Sequence, residues 1–530
     1  MKKYEKQAFK LTNKKAAKKS ESNDINCNPV RPSEAQNRKI FTTIDDNFGF
    51  LTSIFGESIG LTQTKYEILE GKAQVGISYM QNNVDKNMIS SYIVKPIIEC
   101  TGDYLIDTSN LSVLIQSKLI HIPDVKRSTE MKQVVTALLE GYAIIFLQDM
   151  NEALLVGCKK ADFRAVEAPN NEVTVLASMD SFTEDLEANC SMISRRLPTP
   201  DLHFEEYTVG RLSNTRVKLL WFDSISNLKV VEEIRKRIQS IDIDNIDGIG
   251  ELAELIVEKP LSIFPKYRQT QRPDFVARNL TKGYIAILCS NSPFALIAPM
   301  FFIDNFKTMD DYSENFFISS FLRLVRVLAF FLSTSLSGLY VSFVTYNQAI
   351  VPSTLAINIA TGRDGVPLPT IIEVLSLSLI ISIIREASLR LPGSVGYFIG
   401  SLAAVVIGQS AVTAGYVSAS VIIVIAVSAI SSYAISTTTM VYPARLINYF
   451  MILMAGTFGM FGLINGLILV TWHLVSVRSF GMPYMYPLIP FDKEAVKDSF
   501  IRAPQAYTKI RPSILVHDNT VKTGNNTKKN

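Results

Sequence analysis

The most pointed residue spacing lies in the apolar stretch 396–415, GYFIGSLAAVVIGQSAVTAG. Gly400, Ala404, Gly408, Ala411 and Gly415 recur at intervals of 4, 4, 3 and 4, which sets them on one face of a helix. A stripe of small side chains lets a neighbouring backbone approach closely. Gln409 and Thr413 stand one turn apart elsewhere on that helix, beside Val405 and Val412. Two kinds of chemistry fit. In a tightly packed bundle, Gln409 supplies interhelical hydrogen bonds. In a pore wall, Gln409 and Thr413 hydrate an ion and Val412 forms an apolar constriction. The pattern alone favours packing.

Other chemistry-bearing residues are sparser. Glu373 is a carboxylate inside an apolar run, a position that points to an ion site. Thr370-Ile371-Ile372-Glu373 also reads as a capping box just after Pro369, and helix capping is the preferred role. Glu386 and Arg390 form an i, i+4 pair, and Arg323 and Arg326 can snorkel from the start of a span. Trp472 and His473 fit an interfacial belt. One GxSxG occurs at Gly56–Gly60, but no β-branched strand precedes it, so no hydrolase is assigned. No phosphate-loop, dinucleotide or HExxH motif is present, and the five cysteines form no CxxC pair. The expectation is therefore no enzyme, no cofactor and no metal site.

The elements that must position these residues are legible in the charge distribution. Of 530 residues, 19% are charged and the net charge is +4, too small a surplus for a nucleic-acid binder as the global reading. Residues 317–476 hold only nine charged side chains and no Lys, while the remainder carries about 25%, the globular norm. A soluble region joined to an all-α multi-span membrane domain at 313–477 follows. Its apolar stretches are 317–346, 371–384, 395–415, 416–436 and 446–475, and all but 371–384 reach spanning length. Arg478, Lys493, Lys497 and Arg502 after the last stretch, with the Lys-rich start, place both ends on the cytoplasmic side. Four crossings is the simplest count, with 371–384 partly inserted; Arg385 and Arg390 keep five open.

The soluble region reads as α/β in two related subdomains, 41–165 and 210–312, joined by a 166–209 linker with a helix near 180–196. Apolar runs at 142–147 and 153–157, and again at 284–288 and 294–298, read as two hairpins. Gly141 and Gly283 are each followed by Tyr and each precede an Ala-Leu pair by 12 residues. The nearly continuous apolar run 284–303 is split by Ser290-Asn291-Ser292-Pro293, which excludes a membrane span. Residues 228–239 read as a helix burying Leu228, Val231, Ile234 and Ile238. Residues 1–40 read as a disordered basic tail, eight Lys falling in the first twenty positions, either solvated or held on anionic lipid. No apolar signal-peptide core is seen there. Residues 478–530 read as a cytoplasmic-side tail.

Several stretches resemble one family. Gln271-Arg272-Pro273-Asp274 and the later SNSPFALIAP, which contains Pro293, resemble the signature ERPD…DGSPFALIVP. PLPTIIEVLSLSLIISIIREASLRLPGSVG, IGQSAVTAGYVS, SVRSFGMPYMYPL and Asp498 to Pro504 agree in order. The chain resembles the A subunit of the GerA family of spore germinant receptors over roughly 45–511. Gln271 stands where the family has Glu, and Ser290-Asn291 where it has Asp-Gly. The resemblance implies a receptor in the inner membrane of a dormant spore, a permease-like B subunit and a lipoprotein C subunit as partners, nutrient-triggered cation release, and a homo-oligomer that forms the channel. A secondary transporter is the alternative, although no inverted repeat is seen among the spans.

Overall fold

The computed structural model describes residues 38–55, 60–68, 73–81, 83–99, 115–159, 172, 178–258, 262–390, 406–504, 507–517 and 521. The basic N-terminal stretch, the GxSxG serine, Gly400, Ala404, Cys27 and Cys100 lie outside them. The chain divides into two compact units, 1–161 and 162–530.

In the first unit, β1 (Leu61–Ile68), β2 (Ala73–Met80), β3 (Val125–Ser128), β4 (Tyr142–Leu147) and β5 (Ala153–Gly157) form an antiparallel sheet in the order β1-β2-β4-β5-β3. Helices α1 (Ile44–Phe55) and α2 (Met131–Leu139) accompany it. Every residue of β4 is buried, as expected for a central strand with an unbroken apolar run. The second unit begins with α3 (Leu186–Arg196), then β6 (Leu202–Val209), β7 (Thr215–Phe222), α4 (Leu228–Gln239), α5 (Ile249–Ile256), β8 (Arg268–Thr270), α6 (Pro273–Leu280), β9 (Ile285–Cys289) and β10 (Ala295–Ala298). Its sheet order is β6-β7-β9-β10-β8, the same as in the first unit. In α4, Val230 rather than Leu228 joins Val231, Ile234 and Ile238 in the core, and Leu228 is exposed.

The two hairpins match in detail. Gly141 and Gly283 have φ of +88° and +98°, and Asp149 and Asn291 in the two turns both have φ of 62°. Only glycine adopts the first kind of position without cost, and Asn and Asp tolerate the second. A Cβ on Gly141 would stand 2.6 Å from the Asn83 carbonyl oxygen, and one on Gly283 2.7 Å from that of Leu515. The apolar run 284–303 is thus two strands and a turn.

The helical part of the second unit contains α7 (Phe316–Thr345), α8 (Ser353–Gly362), α9 (Thr370–Arg390), a helical stretch 406–413, α10 (Ala419–Tyr433) and α11 (Thr438–Ser476). Among the described residues, α7 and α11 are long and apolar enough to cross a membrane. α11 is two helices in one: Gly459 has φ 60° and ψ −139°, and the chain folds back there. Thr437 at its start donates to Asn305 Oδ1 at 2.8 Å, and His473 near its end lies 3.2 Å from Ser262 Oγ. Both ends therefore meet the part that carries the second sheet. The limbs 438–458 and 460–476 measure roughly 30 and 25 Å at 1.5 Å per residue. Gly338 of α7 fits between them, since a Cβ there would stand 2.9 Å from both Met451 O and Leu463 Cδ1.

α9 is longer than the 14-residue apolar run suggested: it has 21 residues, about 30 Å. The charges Glu373 and Arg385 ended the apolar run but not the helix. Conversely, α10 has 15 described residues where a full span was expected over 416–436.

Residues 478–517, expected as a tail, pack back onto the second sheet. Phe480 belongs to the core with Leu219, Ile287 and Leu296. Asn227 donates its backbone N–H to Leu515 O at 2.9 Å, and Ser226 bridges to Val516.

Candidate functional site

The densest polar cluster lies where α7 meets the second sheet. Asn315 caps α7, accepting from Phe317 N at 3.0 Å. The first turns have two faces. Phe317, Phe321 and Leu328 are exposed, while Ser319, Arg323 and Phe330, at helical spacing, are buried. Arg323, expected to snorkel, is fully buried instead. Its Nε and Nη2 donate to Asp311 Oδ2 at 3.2 and 3.1 Å, and its Nη1 to Asp498 Oδ1 at 3.1 Å and Ser499 O at 2.8 Å. Arg326 takes the other Asp311 oxygen at 2.7 Å.

Asp498 Oδ2 accepts from Tyr312 Oη at 2.9 Å and Lys282 Nζ at 3.1 Å. Burial pushes the Asp498 carboxyl up, but Lys282, Lys307 and Arg323 outweigh it and hold the group well below the carboxylate range. Lys282 answers in the opposite sense: burial lowers it, and Asp498 and Tyr312 raise it above its ordinary value. Arg502 joins the C-terminal segment to the start of α7 by donating to the Asp311 and Glu314 carbonyls. Three stretches distant in sequence, around 282, 311–326 and 498–502, are thereby fastened by buried charges. Breaking one such pair costs about 3–5 kcal/mol, because the survivor keeps its burial penalty.

The helical stretch 406–413 places the residues singled out by spacing. Gly408 is buried, and a Cβ there would meet Ile422 of α10 at 3.8 Å. Ala411 packs on the cluster of Val341, Val421 and Ile425. These two small residues therefore face a neighbour within the chain. Gly415 departs from the stripe: its φ is +72°, nothing lies within 4 Å of its Cβ position, and its N–H returns to Val412 O at 3.0 Å. It ends the helix rather than packing it. Gln409 and Thr413 are exposed and Val412 is half-buried. Thr413 Oγ1 bonds back to the Gln409 and Ser410 carbonyls, both at 3.0 Å.

Glu373 does cap a helix, but not its own. Its Oε1 accepts from the backbone N and Oγ of Ser418, at 2.6 and 2.7 Å, at the start of α10. Its Oε2 lies 3.6 Å from Arg363. The signature residues are structural in position. Arg272 is buried, pairs with Asp274 at 2.7 Å and donates to Ser178 O at 2.7 Å. Pro273 occupies the first turn of α6, where its missing N–H is harmless. Pro293 follows the β9–β10 turn. Sequence reasoning passed over Asp311, Tyr312 and Lys282; Asp498 stood in a quoted motif without a role, and Arg502 counted only toward the charge asymmetry. No group of three metal-ligating side chains gathers among the described residues.

The model of the Bacillus/Clostridium GerA spore germination protein matches residues 50–514. Spore germination protein KA of Bacillus subtilis (strain 168) is 35% identical over 450 residues, 85% of this chain and 82% of that protein. The uncharacterized membrane protein YfkQ of the same organism is 31% identical over 484 residues, 91% and 93% of the two chains. The crystal structure of the N-terminal domain of the A subunit of the Bacillus megaterium spore germinant receptor GerK3 is 27% identical, covering 50% of this chain and 98% of that one, with a TM-score of 0.39. Matched from α1 through both sheets and the helices to the docked C-terminal segment, the chain belongs to the GerA family of spore germination proteins.

Proposed function

We propose that the chain is the A subunit of a nutrient-sensing germinant receptor, a multi-pass protein of the spore inner membrane that assembles into a gated cation channel. An even number of crossings, most simply four, is supported by the two ends of the helical part: Ser319 near the start of α7 donates to Asp311 O, and His473 near the end of α11 lies 3.2 Å from Ser262 Oγ, both against the part that carries the second sheet. α7 leaves the sheet at Asp311 and ends beside Gly456, where Tyr346 Oη reaches the carbonyl at 3.0 Å. α9 returns, with Ser382 at Tyr449 (2.8 Å) and Arg385 at Ser432 (3.1 Å). Ser418 at the start of α10 is held by Glu373, and Ser428 of α10 donates to Ser333 O of α7. Soluble part and docked C-terminal segment then share one side, which the basic residues favour as cytoplasmic.

One observation carries the channel reading. Gln409 and Thr413 are exposed on a helix whose small residues already pack inward. Hydrocarbon cannot satisfy the Gln409 amide, so copies of the chain, or water between them, must cover that face. The buried charges at Asp311, Arg323 and Asp498 would carry movement of the second sheet into α7. A permease-like B subunit and a lipoprotein C subunit are the proposed partners. Conductance of the purified chain in planar bilayers is the test. Stepwise currents support the channel; slow carrier flux would favour a transporter and overturn it.

A further inference from the structure

Beside the buried ion pairs lies a cavity of about 70 Å³ between the second sheet, the start of α7 and the docked C-terminal segment. Arg278, Lys282, Lys307, Arg502 and Arg511 line it, against two carboxylates, Glu494 and Asp498. An adjoining cavity shares Arg278, Lys282, Lys307 and Tyr312. The charges do not balance locally. Lys282 pairs with Asp498 at 3.1 Å and Lys307 with Asp304 at 2.9 Å, while Glu494 is taken by Lys497 at 2.7 Å. Arg502 donates to backbone carbonyls, which leaves its charge uncompensated by those bonds.

Arg278 is the distinctive member. Its guanidinium lies 3.4 Å from the centroid of the Tyr312 ring. Its Nε is buried without an acceptor, and no carboxylate stands within ion-pair distance of it among the described residues. An arginine held flat by a ring keeps its in-plane donors free for an oxyanion. A buried donor left unfilled costs about 1–3 kcal/mol, which favours an acceptor at this position. Burial lowers the Arg502 guanidinium below its ordinary pKa; Tyr312 and Asp498 counter this, and Arg278 and Arg323 add to it.

We infer that this cavity binds a phosphate group through Arg278 and Arg502, with Tyr312 as the platform that orients Arg278. The volume accommodates one tetrahedral anion. Two sources offer the group: free inorganic phosphate, and the headgroup of an anionic phospholipid. Arg502 reaches Glu314 O at the start of α7, and Phe317 and Phe321 are exposed just beyond, so the cavity lies at headgroup depth if α7 spans. The lipid source rests on the membrane reading; the free-anion source does not.

The test uses the full chain in a neutral detergent, with its melting temperature followed at constant ionic strength. Inorganic phosphate and dihexanoyl phosphatidylglycerol are titrated separately, with chloride as reference. Stabilisation by phosphate identifies a free-anion site, and stabilisation by the lipid alone identifies a headgroup site. Arg278→Gln removes no partner of a carboxylate and is expected to fold. It weakens the apparent affinity at least about tenfold, the size of one charge-assisted hydrogen bond. Glu494→Gln removes a repelling carboxylate and tightens binding a few-fold. A response no larger than that to chloride, an Arg278→Gln chain that responds like the parent, or a Glu494→Gln chain that responds more weakly overturns the site. None of these results alters the bilayer conductance expected of the channel, so the two proposals fail separately.

Discussion

Replacing Arg323 by Met tests whether buried charges fasten the first long helix to the second sheet. Met has similar reach and is apolar, so the volume is nearly kept while the charge goes. Two bonds to Asp311, one to Asp498 and one to Ser499 O are lost. Asp311 retains Arg326, and Asp498 retains Lys282 and Tyr312, so neither carboxylate is stranded. The cost therefore falls at the low end of the range for a broken buried pair, about 3 kcal/mol. That corresponds to roughly a hundredfold increase in opening of the docked segment. Hydrogen exchange of the peptide covering 484–504, measured on the full chain, reads this opening directly. Asp311→Ala in the Arg323→Met background should add less than it does alone, because the pair is already broken. If Arg323→Met leaves exchange of 484–504 within a factor of about three of the parent, the network does not hold the segment and the reasoning fails.

Gly283→Ala should destabilise the full chain by about 2 kcal/mol or more, from its φ of +98° and the Leu515 carbonyl at 2.7 Å, whereas Gly248→Ala, with no atom within 4 Å, should stay within about 0.5 kcal/mol in thermal melts. Val412→Ala should leave the chain assembled and release potassium from spores without nutrient; a purely structural Val412 would lose only about 0.5–1.5 kcal/mol of packing and cause no leak. Gly408→Leu should displace Ile422 and α10 and so lower stability within the chain before it affects assembly. Asp492 gives a pH signature. Burial raises its carboxyl, but bonds from Ser513, Tyr486 and the Ala495 and Glu494 N–H groups bring it to about 2. A depressed folded-state value means that its stabilisation, about 1–2 kcal/mol, is complete above pH 4 and is lost as pH falls through about 2. Exchange of the 486–516 region should accelerate over that window, and Asp492→Asn should weaken the pH dependence, leaving the part carried by Asp498.

The repeat was legible because a hairpin writes itself locally: glycine before the strand, a polar turn, and an Ala-Leu return at fixed distance. The helical part was legible because its long apolar helices carry few charges. What stayed hidden involved partners remote in sequence. Asn227 and Leu515 leave no common pattern, so 478–517 looked like a tail. Asp311 and Asp498 look like ordinary surface acids until Arg323 is seen between them. Glu373 was read correctly as a cap and assigned to the wrong helix, since only the fold brings Ser418 beside it. Gly459 sits in an apolar run where a glycine signals close packing as readily as a reversal. The stripe from Gly400 to Gly415 was read with a single period, but its last member has left the helix.

The position of Asp498 has a consequence for how the protein is made. Arg323 and Asp498 are separated by 175 residues. At roughly 5–20 residues per second, a ribosome takes on the order of 10–35 s to deliver the acid after the arginine. During that interval the nascent first helix carries a guanidinium whose full complement of acceptors is not yet synthesised, and the second sheet lacks Phe480 in its core and Leu515 at Gly283. The sheet can therefore reach its final packing only after α11 and the segment beyond it have been made. Its folding ends at one late event, the docking of the segment from Phe480 to Val516. A chaperone that guards this protein has to shield that joint until the segment has emerged.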